Sequence, residues 1–213
     1  MTWHDLTIEQ AQQVYNIIKD DNVTDFEKEI KVLCLLLNYD EGTVNSWPLS
    51  EYREKAAKIG FFHYPIPEQK PSREFKINGK RYFVNYDMQK VSFGQYNEVM
   101  AFSNGPDYLI SNLHKIMATI CNPVKGFWLF KKASKDKSHD EISEDMKKAP
   151  FLICYHAAVF FYQVYKECLK NIRPYLASEL MEKGMTIEQA TEATAALQTI
   201  MDGFGQQKKW QIS

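Results

Sequence analysis

The sequence has little of what catalytic and membrane-spanning chains usually display. Glycine is scarce, at 9 of 213 residues, and no phosphate-cradling glycine loop, paired-histidine zinc helix or nucleophile elbow occurs. The four cysteines, Cys34, Cys121, Cys154 and Cys168, stand in apolar helical contexts without framework or metal-ligand spacing. That pattern excludes a disulfide scaffold and reads as buried, reduced thiols of a cytosolic compartment. Charge of one sign is lacking too. With 26 basic against 27 acidic residues the formal charge is −1, so nucleic acid meets no global attraction. The longest uncharged apolar stretch, Phe151 to Tyr165, has 15 residues and includes His156 and Gln163. A spanning helix needs roughly 20 apolar residues, so this stretch is expected as a buried helix and no membrane partner is expected. The opening Met1-Thr2-Trp3-His4-Asp5 carries neither a basic region nor an apolar run, so no secretory leader is expected.

What the chain does contain is a recurrence. Val91-Ser92-Phe93-Gly94-Gln95 repeats Leu6-Thr7-Ile8-Glu9-Gln10 at an offset of 85, and Val99 falls on Val14. Lys115-Ile116-Met117-Ala118-Thr119-Ile120-Cys121-Asn122 then lies over Lys31-Val32-Leu33-Cys34-Leu35-Leu36-Leu37-Asn38 at an offset of 84. The pentapeptide Thr7 to Ala11 returns once more, identically, from Thr186 to Ala190. These matches read as an internal duplication. The expected architecture is mainly α: two related helical units joined by a β-hairpin, followed by a C-terminal helical segment. The units span 1–60 and 91–184, the connector and hairpin 61–90, and the last helix and tail 185–213.

In the first unit, Thr7-Ile8-Glu9-Gln10 is a capping box. Ile8, Ala11, Val14, Tyr15 and Ile18 behind it form one apolar stripe. A second box, Thr24 to Glu27, opens a helix whose end, Val32 to Leu37, is apolar all round and is expected at the centre of its lobe. After a turn from Asn38 to Gly42, proline at Pro48 opens a third helix, which Gly60 stops. Pro65, Pro67 and Pro71 predict an extended connector. Asn78-Gly79 within Phe75 to Val84 predicts a type I′ hairpin with Ile77 opposite Lys80 and Phe75 opposite Tyr82. Phe75, Ile77, Tyr82 and Val84 then share the packing face. A lone hairpin is marginal in water, so it docks on a helical lobe or adds to a partner's sheet.

The second unit, with its break at Asn104-Gly105-Pro106, departs from the first after Asn122. It inserts an aromatic and basic stretch over 123–138, including Gly126-Phe127-Trp128-Leu129-Phe130-Lys131-Lys132, before an acidic helical turn from Asp140 to Asp145. A long helix from Phe151 is expected to kink or break near Pro174 and to end at Gly184. Ile187, Ala190, Thr194, Leu197 and Met201 form the stripe of the last helix.

Candidate chemistry is thin. Cys154 and His156 are two apart, so on a helix they point in different directions and form no thiolate–imidazole pair. Both are expected as core or packing residues, as are His114 and His63. The carboxylates Asp140, Glu141, Glu144 and Asp145 are expected on a solvated face. Phe127, Trp128, Leu129, Phe130, Lys131 and Lys132 are the candidate partner-binding residues, because large aromatics beside lysines mark interaction surfaces. The competing reading folds these aromatics back onto their own lobe.

Leu6 to Gly60 resembles the tail assembly chaperones of long-tailed bacteriophages, through Ile30 to Leu37, Asp40-Glu41, Val44 and Pro48-Leu49-Ser50-Glu51-Tyr52. With Phe75 to Val84 between two such units and Phe93-Gly94-Gln95-Tyr96 opening the second, the pattern is similar to phage tail and neck proteins of this length. The resemblance implies a non-enzymatic morphogenesis protein without cofactor or metal, binding other virion or tail proteins in the host cytoplasm. It would act as a chaperone or as a subunit retained in the virion, with a ring of its own copies as one form. The alternative is a helical binding module or small enzyme unrelated to phage, with weak nucleic-acid contact through Trp128 and Lys131 to Lys137.

Overall fold

Side chains that can bond the first free amides decide where the helices of this chain begin. In the computed structural model, residues 1–87, 92, 95, 98–99, 102, 106–125, 132–133, 138–182 and 184–189 are described, and the chain is mainly helical. Thr7 caps α1 (Ile8–Lys19), with Gln10 Oε1 accepting from the Thr7 amide at 3.0 Å and Thr7 Oγ1 from the Gln10 amide at 3.2 Å. The same reciprocal pair forms between Ser92 and Gln95 and between Thr186 and Gln189. All three copies of the recurring start signal therefore make the local bonds it encodes. Of the stripe on α1, Ile8, Ala11 and Val14 are buried, while Tyr15 and Ile18 are half-buried.

Thr24 caps α2 (Asp25–Leu37) with Glu27 as its partner. The apolar end of α2 is less central than expected: Val32, Leu33 and Leu36 are buried, but Cys34, Leu35 and Leu37 remain half-buried. One face of α2 packs and the other meets solvent. Asn38 closes it in the left-handed region at φ 57°, and the Tyr39 amide returns to the Cys34 carbonyl at 3.1 Å. The expected turn after it contains a short helix, α3 (Glu41–Ser46), because the Asp40 carboxylate caps it through the Thr43 amide at 2.9 Å. Pro48 then precedes α4 (Leu49–Ile59), with Gly60 at its end. The extended connector beyond is held by His156, whose Nε2 lies 2.8 Å from the Pro67 carbonyl oxygen.

The hairpin forms in the expected register. β1 (Glu74–Ile77) and β2 (Lys80–Val84) pair antiparallel, Phe75 opposite Tyr82 and Ile77 opposite Lys80, with Asn78 and Gly79 both at positive φ. Phe75, Ile77, Tyr82 and Val84 are all buried, which stabilises the docked hairpin by about 1.5–3 kcal/mol for each side chain. It docks on its own chain and gains a neighbour that the sequence did not foretell. β3 (Cys121–Lys125) pairs antiparallel with β2, Asn122 opposite Phe83, and β4 (Lys132–Ala133) extends the sheet by two residues in the order β1-β2-β3-β4. Pro123 is tolerated because it sits between hydrogen-bonded positions of an antiparallel pair, where the amide points away from β2.

In the second unit, α5 (Pro106–Ser111) and α6 (Leu113–Ile120) are separate pieces joined at Asn112, where the offset to α2 would place one continuous helix. The residues expected to open this unit, Val91 to Gly105, lie mostly outside the described ones. The acidic turn is a nine-residue helix, α7 (His139–Lys147), because Ser138 and Glu141 form another capping box. Finally, α8 (Phe151–Glu182) runs through Pro174 without a break. Proline costs a helix one hydrogen bond and some ring crowding, and a helix of 32 residues carries that loss. The stripe expected beyond Ile187 lies outside the described residues.

The two units share one buried apolar cluster. Leu6 and Ile8 pair with Phe151 and Ala149 through backbone hydrogen bonds of 2.8 and 2.9 Å around a bridge between Thr7 and Pro150. Trp3 packs beside Phe62 and Phe151, ring centroids 5.0 and 6.0 Å away. The starts of α1 and α8 are thus joined across the sequence.

Candidate functional site

In sequence, the candidate partner segment follows β3 and ends in β4. β3 and β4 pair with Lys125 opposite Lys132, the last residue of one strand and the first of the next. Phe127, Trp128, Leu129, Phe130 and Lys131 lie outside the described residues, and of Lys132 only the backbone, in β4, is described. The lysines expected to accompany Trp128 on nucleic acid, Lys135 and Lys137, lie outside them too.

Three polar clusters join the elements around this sheet, and none was foreseen from the sequence. Beneath it, the buried Tyr82 hydroxyl donates to the Asp145 carboxylate on α7. Burial first, and then Asp145, push the Tyr82 phenol well above its ordinary range. Asp145 is therefore not on a solvated face, although Asp140, Glu141 and Glu144 are exposed. At the start of α7, His139 Nε2 is 3.1 Å from Thr119 Oγ1 and 3.9 Å from the Glu98 carboxylate. Gln95 Nε2 donates to the Thr119 carbonyl at 3.1 Å. Thr119 also reaches the Lys115 carbonyl at 3.1 Å. One consistent assignment has the hydroxyl donating there and accepting from His139 Nε2–H. Thr119 is buried, so this threonine, histidine and glutamate fasten α6 to α7 and offer no reachable nucleophile.

The third cluster ties α1 to α5 and α6. Gln12 Nε2 donates to the Ile110 carbonyl at 2.8 Å and lies 2.8 Å from His114 Nδ1. The Ser111 carbonyl lies 2.9 Å from the same nitrogen, so its two hydrogens face three acceptors, and one consistent assignment has Nδ1 among those that accept. Burial, helped by Lys147 and Lys115 nearby, lowers the His114 pKa to about 4. The thiols are equally unsuited to attack: Cys121 and Cys154 are buried, and burial raises both pKa values far above the ordinary thiol range. Cys34 is half-buried and raised for the same reason, and Cys168 lies where side chains are not described. His156 packs against the connector as expected, whereas His63 is exposed rather than in the core. Among the described residues no group of three or more histidine, cysteine or acidic side chains is placed to hold a metal ion. No helix there is long and apolar enough to cross a membrane.

The surface has one further feature. Phe26 on α2 is 62% exposed and Leu49 on α4 is 63% exposed. Tyr52, three residues after Leu49 and so on the same side of α4, lies with its ring 6.1 Å from that of Phe26. The three side chains form one apolar face at the starts of the two helices. Asp25 and Glu27 flank Phe26, and Glu51 follows Leu49 in the first turn of α4. Burial and then the Glu29 carboxylate push Tyr52 up to about 12. Elsewhere in the first unit, Tyr39 and Trp47 meet edge to face at 4.9 Å, and the Lys55 ammonium lies 5.6 and 5.9 Å over their rings. Sequence reasoning missed the open face because Phe26 stands outside any apolar stripe and Leu49 reads as an ordinary helix start.

No family model matches this chain, and no curated protein or solved structure is similar enough to be matched with it.

Proposed function

We propose that this chain is a non-enzymatic bacteriophage morphogenesis protein that binds other virion proteins during assembly of the tail or neck. The observation that carries the binding part is the apolar face of Phe26, Leu49 and the half-buried Tyr52, since an exposed aromatic and an exposed aliphatic side chain gathered in one place mark protein contacts. The phage part follows the resemblance of Leu6 to Gly60 to tail assembly chaperones. Phe127, Trp128, Leu129, Phe130, Lys131 and Lys132 form the partner-binding segment on this reading. The protein works in the host cytoplasm during assembly, either leaving as a chaperone or staying as a tail, neck or ring subunit.

Trp128→Ala tests the assignment. Its expected outcome is loss of co-purification with tail proteins at an unchanged melting temperature, and unchanged co-purification overturns the site. Mass spectrometry of purified virions separates the two forms, because absence of the protein rules out the retained subunit.

A further inference from the structure

Charge in this chain is balanced overall but unevenly placed. Residues 1–60 hold eleven acidic and six basic side chains, and 123–138 hold five lysines against one aspartate. The apolar face of Phe26, Leu49 and Tyr52 lies in the acidic part, next to Asp25, Glu27, Glu29 and Glu51. Three cations are close by: Lys28 is 3.9 Å from Asp25 and mostly covered, Lys31 is near enough to act on the Glu27 carboxylate, and Arg53 is exposed. Acids therefore outnumber bases around the face. Phe127-Trp128-Leu129-Phe130-Lys131-Lys132 has the opposite character, four large apolar residues followed by two cations. We propose that the face at the starts of α2 and α4 receives residues 127–132 of a second copy of this chain.

The proposal rests on the reading of 127–132 as a partner-binding segment and names the partner. Apolar side chains meet apolar side chains at the centre, and Lys131 and Lys132 meet the acidic rim, an arrangement that favours register and encounter. β3 and β4 continue the sheet beside β2 and α6, whereas α2 packs with α1, α3 and α4. The donor and acceptor surfaces thus belong to different elements, and the contact is heterologous. Such contacts close into rings or run on as filaments.

The test uses the full chain in sedimentation velocity over a range of protein and salt concentrations. The native chain is expected to associate, more weakly at high salt. Phe26→Glu and Trp128→Ala each should weaken association by about tenfold or more, with Leu49→Glu as a second variant of the face. Because Phe26→Glu keeps its donor segment and Trp128→Ala keeps its acceptor face, an equal mixture of the two is expected to give dimers and nothing larger. A native chain that stays monomeric overturns the proposal, as does a mixture with no dimer. A Trp128→Ala chain that associates like the native one also overturns it, whether the Phe26 face pairs with itself or takes Lys208-Lys209-Trp210 instead. Co-purification with tail proteins, measured on the same variants, keeps the two readings apart. A monomeric native chain whose Trp128→Ala form loses tail proteins removes self-association and leaves the proposed function standing.

Discussion

Residues 31–38 and 115–122 match in apolar pattern and in their closing asparagine, yet their helices end in opposite ways. In the first, α2 runs to Leu37 and Asn38 turns left-handed at φ 57°, handing the chain to α3. In the second, α6 stops at Ile120, Cys121 is already extended at φ −107° and ψ 146°, and Asn122 becomes the second residue of a strand. The next residue explains part of this. Tyr39 supplies an amide that returns to the Cys34 carbonyl. Pro123 has no amide, and its ring disfavours helical backbone at Asn122. The rest of the cause is tertiary, because β2 has a free edge at the right place, taken by Asn122 opposite Phe83 and by the Asn85 amide on the Ile120 carbonyl at 2.8 Å. The same apolar helix end thus serves as a stop or as a feed into a sheet, according to its neighbour and to what stands beside it.

Breaking the receiving edge should have the largest effect. Tyr82→Ala removes a fully buried ring and leaves the Asp145 carboxylate without its hydroxyl donor, so a loss of about 3–5 kcal/mol is expected in denaturant unfolding. Hydrogen exchange should quicken at the amides joining β2 and β3 and leave those of α2 unchanged. Making the first end like the second comes next. Tyr39→Pro removes the amide bonded to Cys34 and disfavours helical backbone at Asn38, for an expected cost of about 2–3 kcal/mol. An unchanged unfolding midpoint would show that proline is not what separates the two ends.

Acid probes the second region in a different way. His114, near the start of α6, is neutral when folded, with a pKa of about 4 against an ordinary 6.5. Protons therefore bind the unfolded chain more readily, so the contribution of neutral His114 is complete above pH 6.5 and is lost as pH falls toward 4. The expected loss is about 1–2 kcal/mol, allowing for partial exposure. His114→Gln should flatten this dependence, and an unflattened profile would place the titration elsewhere. The smallest change discriminates best. Asn38→Gly relieves a left-handed position and should stabilise by about 0.5–1 kcal/mol. Asn122→Gly, at the matching position in a strand, should destabilise by about 0.5–1 kcal/mol. Equal signs in thermal melts would mean that the two ends do not differ as described.

Much of the local structure was legible before any coordinates. Thr7, Thr24 and the Asn78-Gly79 turn announce their elements, and the hairpin pairs with Phe75 opposite Tyr82 as the two-residue turn requires. Strand β3 was not legible, because Lys115 to Cys121 carries a helical pattern and only Pro123 hints at its end. The expected duplication is not shown by the fold, since α5 and α6 break where α2 is continuous. The candidate surface was half legible. The segment 127–132 could be picked out by its composition, whereas Phe26 and Leu49 become a face only when α2 and α4 are packed together.

What the sequence by itself determined is whatever a few neighbouring residues can enforce: where helices start, how the hairpin turns, and which of its side chains face inward. Those features rest on bonds spanning three residues, such as Thr7 to Gln10, and on a turn of two. Tertiary structure alone decided that Asp145 takes the Tyr82 hydroxyl across 63 residues, that Gln12 meets His114 across 102, and that Asn122 extends. Each of these needs a partner that only the folded chain brings within hydrogen-bonding distance, and no local pattern encodes where that partner will stand.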